Sequence, residues 1–267
     1  MRRTLIVMFA LVFIGSFAFT QNNNDSSVDQ SGSDHIGEIS QTGTRNYAKI
    51  LQIGSSHQAY IVQVGHGNEA IIETKTGTAS IAQITQTEGA EDNYARIDQW
   101  GFAQDAEQFQ RGRDNWANII QDGQGFHTAY QEQNGINNQA LINQDNNLEL
   151  QEGNEALQVQ RGDQNKANLK QNGSGNFASQ FQFSPNNWAG EIWEEYGIDQ
   201  YGERNFAHQF QEVGWNKAEI FQVNSDNNAT IRQWGHPTAG FFVNQAIVNQ
   251  DGTGNTADIR QNYGALQ

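Results

Sequence analysis

The chain has 267 residues, of which 34 are Gln, 30 are Asn and 27 are Gly. Only 36% of the residues are hydrophobic, which is too few for the long Leu, Val and Ile stripes of a conventional packed core. The formal net charge of −15 argues against nucleic acid as the main partner, because phosphate binding requires clustered Lys and Arg. The lack of Cys excludes disulfides, thiolate metal sites and cysteine nucleophiles.

Residues 1–20 have the pattern of an N-terminal export signal. Arg2 and Arg3 precede an apolar run from Leu5 to Phe19 that is too short for a stable membrane span, and the small residues near Ala18 allow cleavage. We therefore expect a secreted protein without an integral membrane span. The polar run that follows cannot bury apolar surface, so residues 21–34 are predicted to be a disordered segment.

From residue 35 to 267 the chain repeats a seven-residue cassette, Asn-x-Ala-x-Ile-x-Gln. Alternation with a period of two predicts a β-strand, so the four named positions share one face and the x positions share the other. Within each run of cassettes, the Ala position returns every 11 residues. The predicted ladder and core residues are Asn46, Ala48, Ile50, Gln52, Asn115, Ala117, Ile119, Gln121, Asn165, Ala167, Gln171, Asn176, Ala178, Gln182, Asn255, Ala257, Ile259 and Gln261.

A short arc that contains Gly separates successive cassettes. Gly at these places supplies the positive φ angles of a tight reversal. A strand of about seven residues and an arc of about four make the 11-residue step, and two steps make a rung of about 22 residues. The predicted arc glycines are Gly43, Gly54, Gly65, Gly112, Gly162, Gly173 and Gly252.

The repeat itself favours a coil of parallel strands over a meander of hairpins. A coil stacks Asn on Asn and Gln on Gln, so that each side-chain amide donates to the next, whereas hairpins would place Asn opposite Gln. We predict an all-β fold, a two-sheet parallel β-solenoid of stacked strand-arc-strand rungs, with roughly nine or ten rungs over residues 35–267. Its handedness is left open.

The 11-residue step is interrupted at four places. Residues 84–92, 190–199 and 235–243 are insertions, and residues 145–153 are irregular. Because insertions into a repeat usually map to loops, we expect longer arcs at these places.

The cassettes resemble the curlin repeat of curli amyloid subunits, whose pattern is Ser-x5-Gln-x-Gly-x-Gly-Asn-x-Ala-x3-Gln. The segments that begin at Gln171 and Gln250 match this pattern from its first Gln onward, and with the second Gly relaxed it also begins at Gln41, Gln110, Gln133, Gln160 and Gln200. The family Ser is Asn here, at Asn165 and Asn244, and the chain has far more strands than a typical five-repeat curlin. The resemblance covers residues 35 to 261.

The resemblance implies an extracellular functional-amyloid subunit that is exported through a dedicated outer-membrane pore and assembles with itself. It further implies a nucleator or companion curlin subunit. It leaves open whether this chain is the bulk subunit, the nucleator or a minor component.

The sequence offers no catalytic, metal or cofactor site. The His residues lack the spacing of a helical zinc site, and no nucleophile elbow, P-loop or dinucleotide fingerprint is present. His35, His57 and His127 occupy the Asn position of the cassette, so they are interpreted as ladder substitutes. The chain is therefore predicted to be a structural protein and not an enzyme.

Two functions fit this sequence. The first is a cell-surface fibre subunit that polymerises end to end for biofilm matrix and surface adhesion, because the last cassette is intact close to residue 267 and lacks the cap of monomeric solenoids. The second is a monomeric extracellular β-solenoid adhesin or binding protein. Its outward aromatic residues, Tyr47, Tyr94, Trp116 and Trp188, would stack on sugars.

Overall fold

A computed structural model of the protein describes residues 23–183, 188–189, 197–212, 216–235 and 244–263. The described strands form two sheets, and their pairings are parallel. Sheet A contains β1 (Asp25–Ser33), β3 (Tyr47–Ser55), β5 (Glu69–Thr78), β7 (Tyr94–Gly101), β9 (Trp116–Gly125), β11 (Gln139–Gln151), β13 (Lys166–Ser174), β15 (Trp188–Ala189), β16 (Ile198–Glu203), β18 (Asn216–Val223) and β20 (Asn244–Asp251). Sheet B contains β2 (Ile36–Thr44), β4 (Gln58–His66), β6 (Ile81–Glu91), β8 (Asp105–Arg113), β10 (Thr128–Ile136), β12 (Glu155–Arg161), β14 (Phe177–Phe183), β17 (Phe206–Glu212), β19 (Asn228–Gly235) and β21 (Thr256–Tyr263).

Successive strands alternate between the two sheets, so one strand of each sheet and two arcs form a rung. Equivalent cassette positions are in register: Ala48 pairs with Ala70, and Ala106 pairs with Ala129. This arrangement confirms the predicted two-sheet parallel β-solenoid. Sheet B has ten described strands, one for each rung.

The core lies between the two sheets and consists of columns of small and branched side chains. The Ala and Ile positions of the inner rungs are almost wholly buried, as at Ala48, Ile50, Ala117 and Ile119. Ala beside Ile lets the sheets approach closely, and along the inner rungs of sheet A each column is continued by Ala or by a branched aliphatic residue. The polar Asn and Gln positions flank this narrow aliphatic centre.

Each predicted arc glycine has a positive φ, between 103° and 139°. At Gly112 a Cβ would overlap the carbonyl oxygen of Gly135 in the next rung, so only Gly fits. Two residues further on, most arcs have a second left-handed residue with φ near 55°, such as Arg45 or Asp114. Because non-Gly residues tolerate this second conformation, the second Gly of the curlin pattern is replaceable and the first is not.

The prediction of disorder for residues 21–34 was wrong for most of this segment, since Asp25–Ser33 form β1. This strand pairs with β3 over its whole length, and Asn24, Ser26, Val28 and Gln30 occupy the four inward cassette positions. Backbone pairing and the Gln30 amide compensate for the low apolar content of the strand. Residues 1–22 lie outside the described residues, so the export signal stays a prediction.

The insertion predicted at 84–92 begins later than the sequence indicated. Ile84 and Gln86 are still in register with Ile61 and Gln63, and the register shifts only after Gln86. A similar shift in β11 after Asn146 accounts for the irregular segment at 145–153.

The insertion predicted at 190–199 is not a longer arc, because it interrupts a strand. Ala189 pairs with Ala167 in β13, and Ile198 and Gln200 then resume the pairing with that same strand. Strands β15 and β16 therefore share one rung. The intervening residues 190–196 lie outside the described residues, as do 236–243, so the longer arc predicted at 235–243 stays a prediction.

Candidate functional site: the amide columns and the two ends

In sheet A the Asn side chains form a continuous column. The backbone N–H of each Asn donates to Oδ1 of the Asn in the preceding rung, with N–O distances of 2.9–3.2 Å. In most of these pairs the Nδ2 group donates to the same Oδ1. One buried side chain thus satisfies two donors of the next rung. The column consists of Asn24, Asn46, Asn68, Asn93, Asn115, Asn138 and Asn165.

In sheet B the Gln side chains form a column that crosses ten strands without a break. Each Nε2 donates to Oε1 of the next rung at 2.8–3.1 Å. Most Nε2 groups also donate to a backbone carbonyl of sheet A, for example Gln133 to Trp116, so the column ties the sheets together. Its members are Gln41, Gln63, Gln86, Gln110, Gln133, Gln160, Gln182, Gln211, Gln233 and Gln261.

The Gln column of sheet A is interrupted at one rung. Gln30 donates to Gln52, but the next position is Thr74, and the column resumes at Gln99. Thr74 Oγ1 and Gln99 Oε1 are both buried, and neither has a partner among the described residues. Beyond the break, the column continues through Gln99, Gln121, Gln144, Gln171, Gln200, Gln222 and Gln250.

A second buried Gln column replaces Ile in the middle of sheet B, and the sequence analysis missed it. Its side chains donate to one another at 2.7–3.1 Å and to carbonyl oxygens of sheet A. The recurrence of Gln two residues before the cassette Gln, in consecutive sheet B strands, could have revealed it. The column consists of Gln108, Gln131, Gln158, Gln180 and Gln209.

In the N-terminal half of sheet B, other residues occupy the Asn position. His57 N–H donates to His35 Nδ1 at 3.3 Å, and Ser80 N–H donates to His57 Nδ1 at 3.2 Å. The imidazole nitrogen therefore takes the role of Asn Oδ1, as the sequence predicted. From Asn154 the column is pure Asn and continues through Asn176, Asn205, Asn227 and Asn255.

The predicted ladder and core residues differ in burial according to their rung. Those between Asn46 and Gln182 are buried, whereas Asn255, Ala257, Ile259 and Gln261 in the last rung are only half-buried. The inward residues of the first sheet B strand, such as Ile39 and Gln41, are half-buried as well. Both ends of the described solenoid therefore expose unfinished columns.

The two ends present the same residue classes in the same order. In sheet B the inward positions of β2 are His35, Gly37, Ile39 and Gln41, and those of β21 are Asn255, Ala257, Ile259 and Gln261. In sheet A the inward positions of β1 are Ser26, Val28 and Gln30, and those of β20 are Ala246, Val248 and Gln250.

Outward side chains form ladders of their own. Tyr94 stacks on Trp116 with ring planes 7° apart, and Phe177 stacks on Phe206 with ring planes 9° apart. On sheet A, Glu73 accepts contacts from Lys49, Lys75 and Arg96 at 2.6–3.2 Å. The side chain of Trp188 lies outside the described residues.

Within the described ranges, no group of His, Asp and Glu is arranged to hold a metal ion. The same ranges contain no helix of the length and apolar character that a membrane crossing requires.

Comparison with known proteins identifies the repeat. Residues 36–65, which include β2, β3 and most of β4, match the family model of the curlin associated repeat. This match supports membership of the chain in the curlin-repeat family, as the resemblance of its cassettes implied. A comparison with curated proteins found no match.

Proposed function

We propose that this curlin-repeat protein is a secreted structural subunit of extracellular, curli-like amyloid fibres, which polymerises end to end at the cell surface for biofilm matrix and adhesion. The observation that carries the proposal is the match between the two ends of the solenoid. The last rung offers Asn, Ala, Ile and Gln where the first rung of another copy offers His, Gly, Ile and Gln in sheet B. A contact of this kind is heterologous and does not close, so it extends into a fibre.

The hydrogen bonds give the contact a direction. Within the chain, Gln Nε2 donates toward the C-terminal rungs, as from Gln233 to Gln261, and Asn N–H donates toward the N-terminal rungs, as from Asn255 to Asn227. If the Gln column continues across the junction between two copies, Gln261 Nε2 would donate to Gln41 Oε1 of the next copy. The reverse orientation, with two like ends in contact, would make the contacting strands antiparallel and place Asn opposite Gln, so the columns of identical side chains would not continue. The proposed fibre is therefore head to tail.

The proposed partners of this fibre subunit and its route of export rest on the family resemblance. We propose self-association as the main interaction, a nucleator or companion curlin subunit as a second partner, and a dedicated outer-membrane pore as the route of export. We assign the chain a structural role and no catalytic one, because its buried polar groups are used to hold rungs together.

The geometry gives less support to the monomeric adhesin that stacks outward aromatics on sugars. The rings of Tyr94 and Trp116, and of Phe177 and Phe206, lie face to face with each other along the solenoid axis. Their edges point outward, whereas sugar stacking uses a ring face.

Proline substitutions in β21 test the end-to-end contact. The outward residue Asn228 donates its N–H to the following rung, at 2.8 Å from Asn255 O. Because successive N–H groups of a strand point to opposite edges, the outward Arg260 directs its N–H to the free edge, and the inward Ile259 directs its N–H to β19. Arg260→Pro should therefore leave the monomer folded while removing a donor for the incoming copy, and Arg260→Gln is the matched control for loss of charge.

We expect Arg260→Pro chains to add to parent seeds through their intact N-terminal end and then to block further growth. Elongation, followed by thioflavin fluorescence on sonicated seeds, should slow by about tenfold or more, since one lost hydrogen bond at a buried edge costs about 1–3 kcal/mol. Ile259→Pro should instead disturb the last rung of the monomer itself. Unchanged elongation by Arg260→Pro would refute the end-to-end contact. A parent chain that stays monomeric at high concentration would refute the fibre itself, in favour of the monomeric adhesin.

A further inference from the structure

The Asn column of sheet B contains a titratable acceptor wherever His replaces Asn. His57 and His127 are fully buried, and in each the Nδ1 atom accepts the backbone N–H of the next rung, from Ser80 at 3.2 Å and from Asn154 at 3.0 Å. A proton on Nδ1 would convert this acceptor into a donor that faces another donor. An Asn at the same position accepts the same bond and does not titrate in this range.

The surroundings of these rings offer little to stabilise a positive charge. The ring of His57 stacks on that of His35, with centroids 5.3 Å apart and planes 4° apart, so a second positive charge would lie beside the first. The Ser80 N–H faces Nδ1 of His57, and the backbone of Ile53 and Gly54 lies beside its ring. The corresponding neighbours of His127 are Asn154, Gly125 and the backbone of Asp122. No carboxylate among the described residues contributes to the pKa of either ring.

We propose that the histidines of this column make the N-terminal half of sheet B acid-labile, because protonation of Nδ1 removes the acceptor that holds the following rung. In the C-terminal half the column runs from Asn154 to Asn255 and contains no His, so its acceptors do not titrate in this range. The outward His208 of β17, whose pKa is lowered by burial and by Arg232, contacts the Ser179 hydroxyl and is not part of the column. When the pH falls, the rungs that follow His57 and His127 would lose the hydrogen bonds to these rings. The rungs from Asn154 to Asn255 would keep the hydrogen bonds of the Asn column.

The pKa values agree with the geometry. Burial lowers the pKa of His127 to about 4, and burial with the nearby His35 lowers the pKa of His57 below its ordinary value. A group whose pKa is lower in the folded state than in the unfolded chain contributes stability that is complete above the unfolded pKa of about 6.5. That stability is lost as the pH falls from about 6.5 toward 4.

Hydrogen exchange of the purified full chain tests the proposal. The informative amide is that of Asn154, which donates to His127, and the internal control is that of Asn227, which donates to Asn205 Oδ1 at 3.1 Å. After correction for the intrinsic exchange rate, we expect the protection of the Asn154 amide to fall by about 30-fold between pH 7.5 and pH 5, if that amide opens with exposure of His127. The protection of the Asn227 amide should change much less.

The matched variants are His57→Asn and His127→Asn, which introduce the residue that this column has from Asn154 to Asn255. In His127→Asn, the protection of the Asn154 amide should become nearly independent of pH, and in His57→Asn the same should hold for the Ser80 amide. The proposal is overturned if the parent shows equal pH dependence at Asn154 and Asn227. It is equally overturned if the His→Asn variants keep the parent's pH dependence.

Discussion

The two sheets of the solenoid have the same fold but complementary defects. Sheet A keeps its Asn column intact from Asn24 to Asn165 and loses its Gln column at Thr74. Sheet B keeps its Gln column intact from Gln41 to Gln261 and replaces Asn by His, Ser and Gln in its N-terminal half. In that half, each rung is therefore hydrogen-bonded to the next through the intact Asn column of sheet A and the intact Gln column of sheet B.

This comparison indicates that one complete amide column is enough to fix the register of a rung. Where sheet A lacks the Gln at Thr74, its outer face is tied across three strands by the contacts of Glu73 with Lys49, Lys75 and Arg96. These ion pairs are partly exposed, so their contribution is modest and sensitive to salt. The Ala and Ile columns of sheet A are the same on both sides of the break.

The largest expected effect comes from a change that pushes adjacent rungs apart at an arc. Gly112→Ala would set a Cβ against the carbonyl of Gly135, in addition to its positive φ of 103°. We expect a loss of about 3–5 kcal/mol in the free energy of unfolding, measured by denaturant titration. Gly89→Ala is the matched control, because its φ is 82° and a Cβ there meets nothing within 4 Å. A loss of about 1–2 kcal/mol is expected for it, and equal losses would show that close approach of the arcs is unimportant.

Removing an amide from an intact column should cost more than removing one beside the break. Gln133→Met leaves Gln160 Oε1 without its donor and Gln110 Nε2 without its acceptor. Gln99→Met likewise removes the donor of Gln121 Oε1, but Gln99 Oε1 accepts from no described residue, so no donor loses its acceptor. We expect a loss of about 2–3 kcal/mol for Gln133→Met and a loss smaller by about 1 kcal/mol for Gln99→Met. Thermal or denaturant unfolding of the two variants measures the difference, and the reverse order would contradict the role assigned to the column.

Repairing the break should stabilise the protein. Thr74→Gln removes the orphaned Oγ1, and its amide would reach Gln99 Oε1 on one side and Gln52 Nε2 on the other. The expected gain is about 1 kcal/mol in the free energy of unfolding. Thr230→Gln, on the outward face, is the control and should change stability by less than about 0.5 kcal/mol. A destabilised Thr74→Gln variant would mean that the site cannot hold the longer side chain.

The smallest effect is expected on the outer face. Tyr47 is 36% exposed, and its side chain belongs to neither the core nor an amide column. Tyr47→Ser should lower the free energy of unfolding by no more than about 0.5 kcal/mol. A loss comparable to that of Gln133→Met would show that the outward ladders, and not the buried columns, hold the rungs.

The sequence predicted the regular parts of this fold because periodicity alone defines them. Alternation gave the strands, the 11-residue step gave the register, and Gly marked the arcs, so the placements of Asn46, Gln52 and Gly112 followed. Strand β1 was missed because its polar side chains contribute little burial, although Asn24 and Gln30 stand 22 residues before Asn46 and Gln52. The strand interrupted after Ala189 was missed because the sequence does not show that the residues before and after an insertion pair with the same neighbouring strand.

The central claim is that the last rung of one copy stacks on the first rung of another, and a pair of introduced cysteines tests it directly. Thr42 and Asn262 hold the same outward position in the first and last strands of sheet B. In a head-to-tail fibre they would lie on adjacent parallel strands about 4.8 Å apart, within the range for a disulfide, whereas inside one copy eight strands separate them. The chain has no Cys of its own. Fibres of the Thr42→Cys, Asn262→Cys double variant, assembled under reducing conditions and then oxidised, should give covalent multimers on a non-reducing gel, and an Asn134→Cys, Asn262→Cys control should not. Fibres of the first variant that yield only monomers after oxidation would contradict the account.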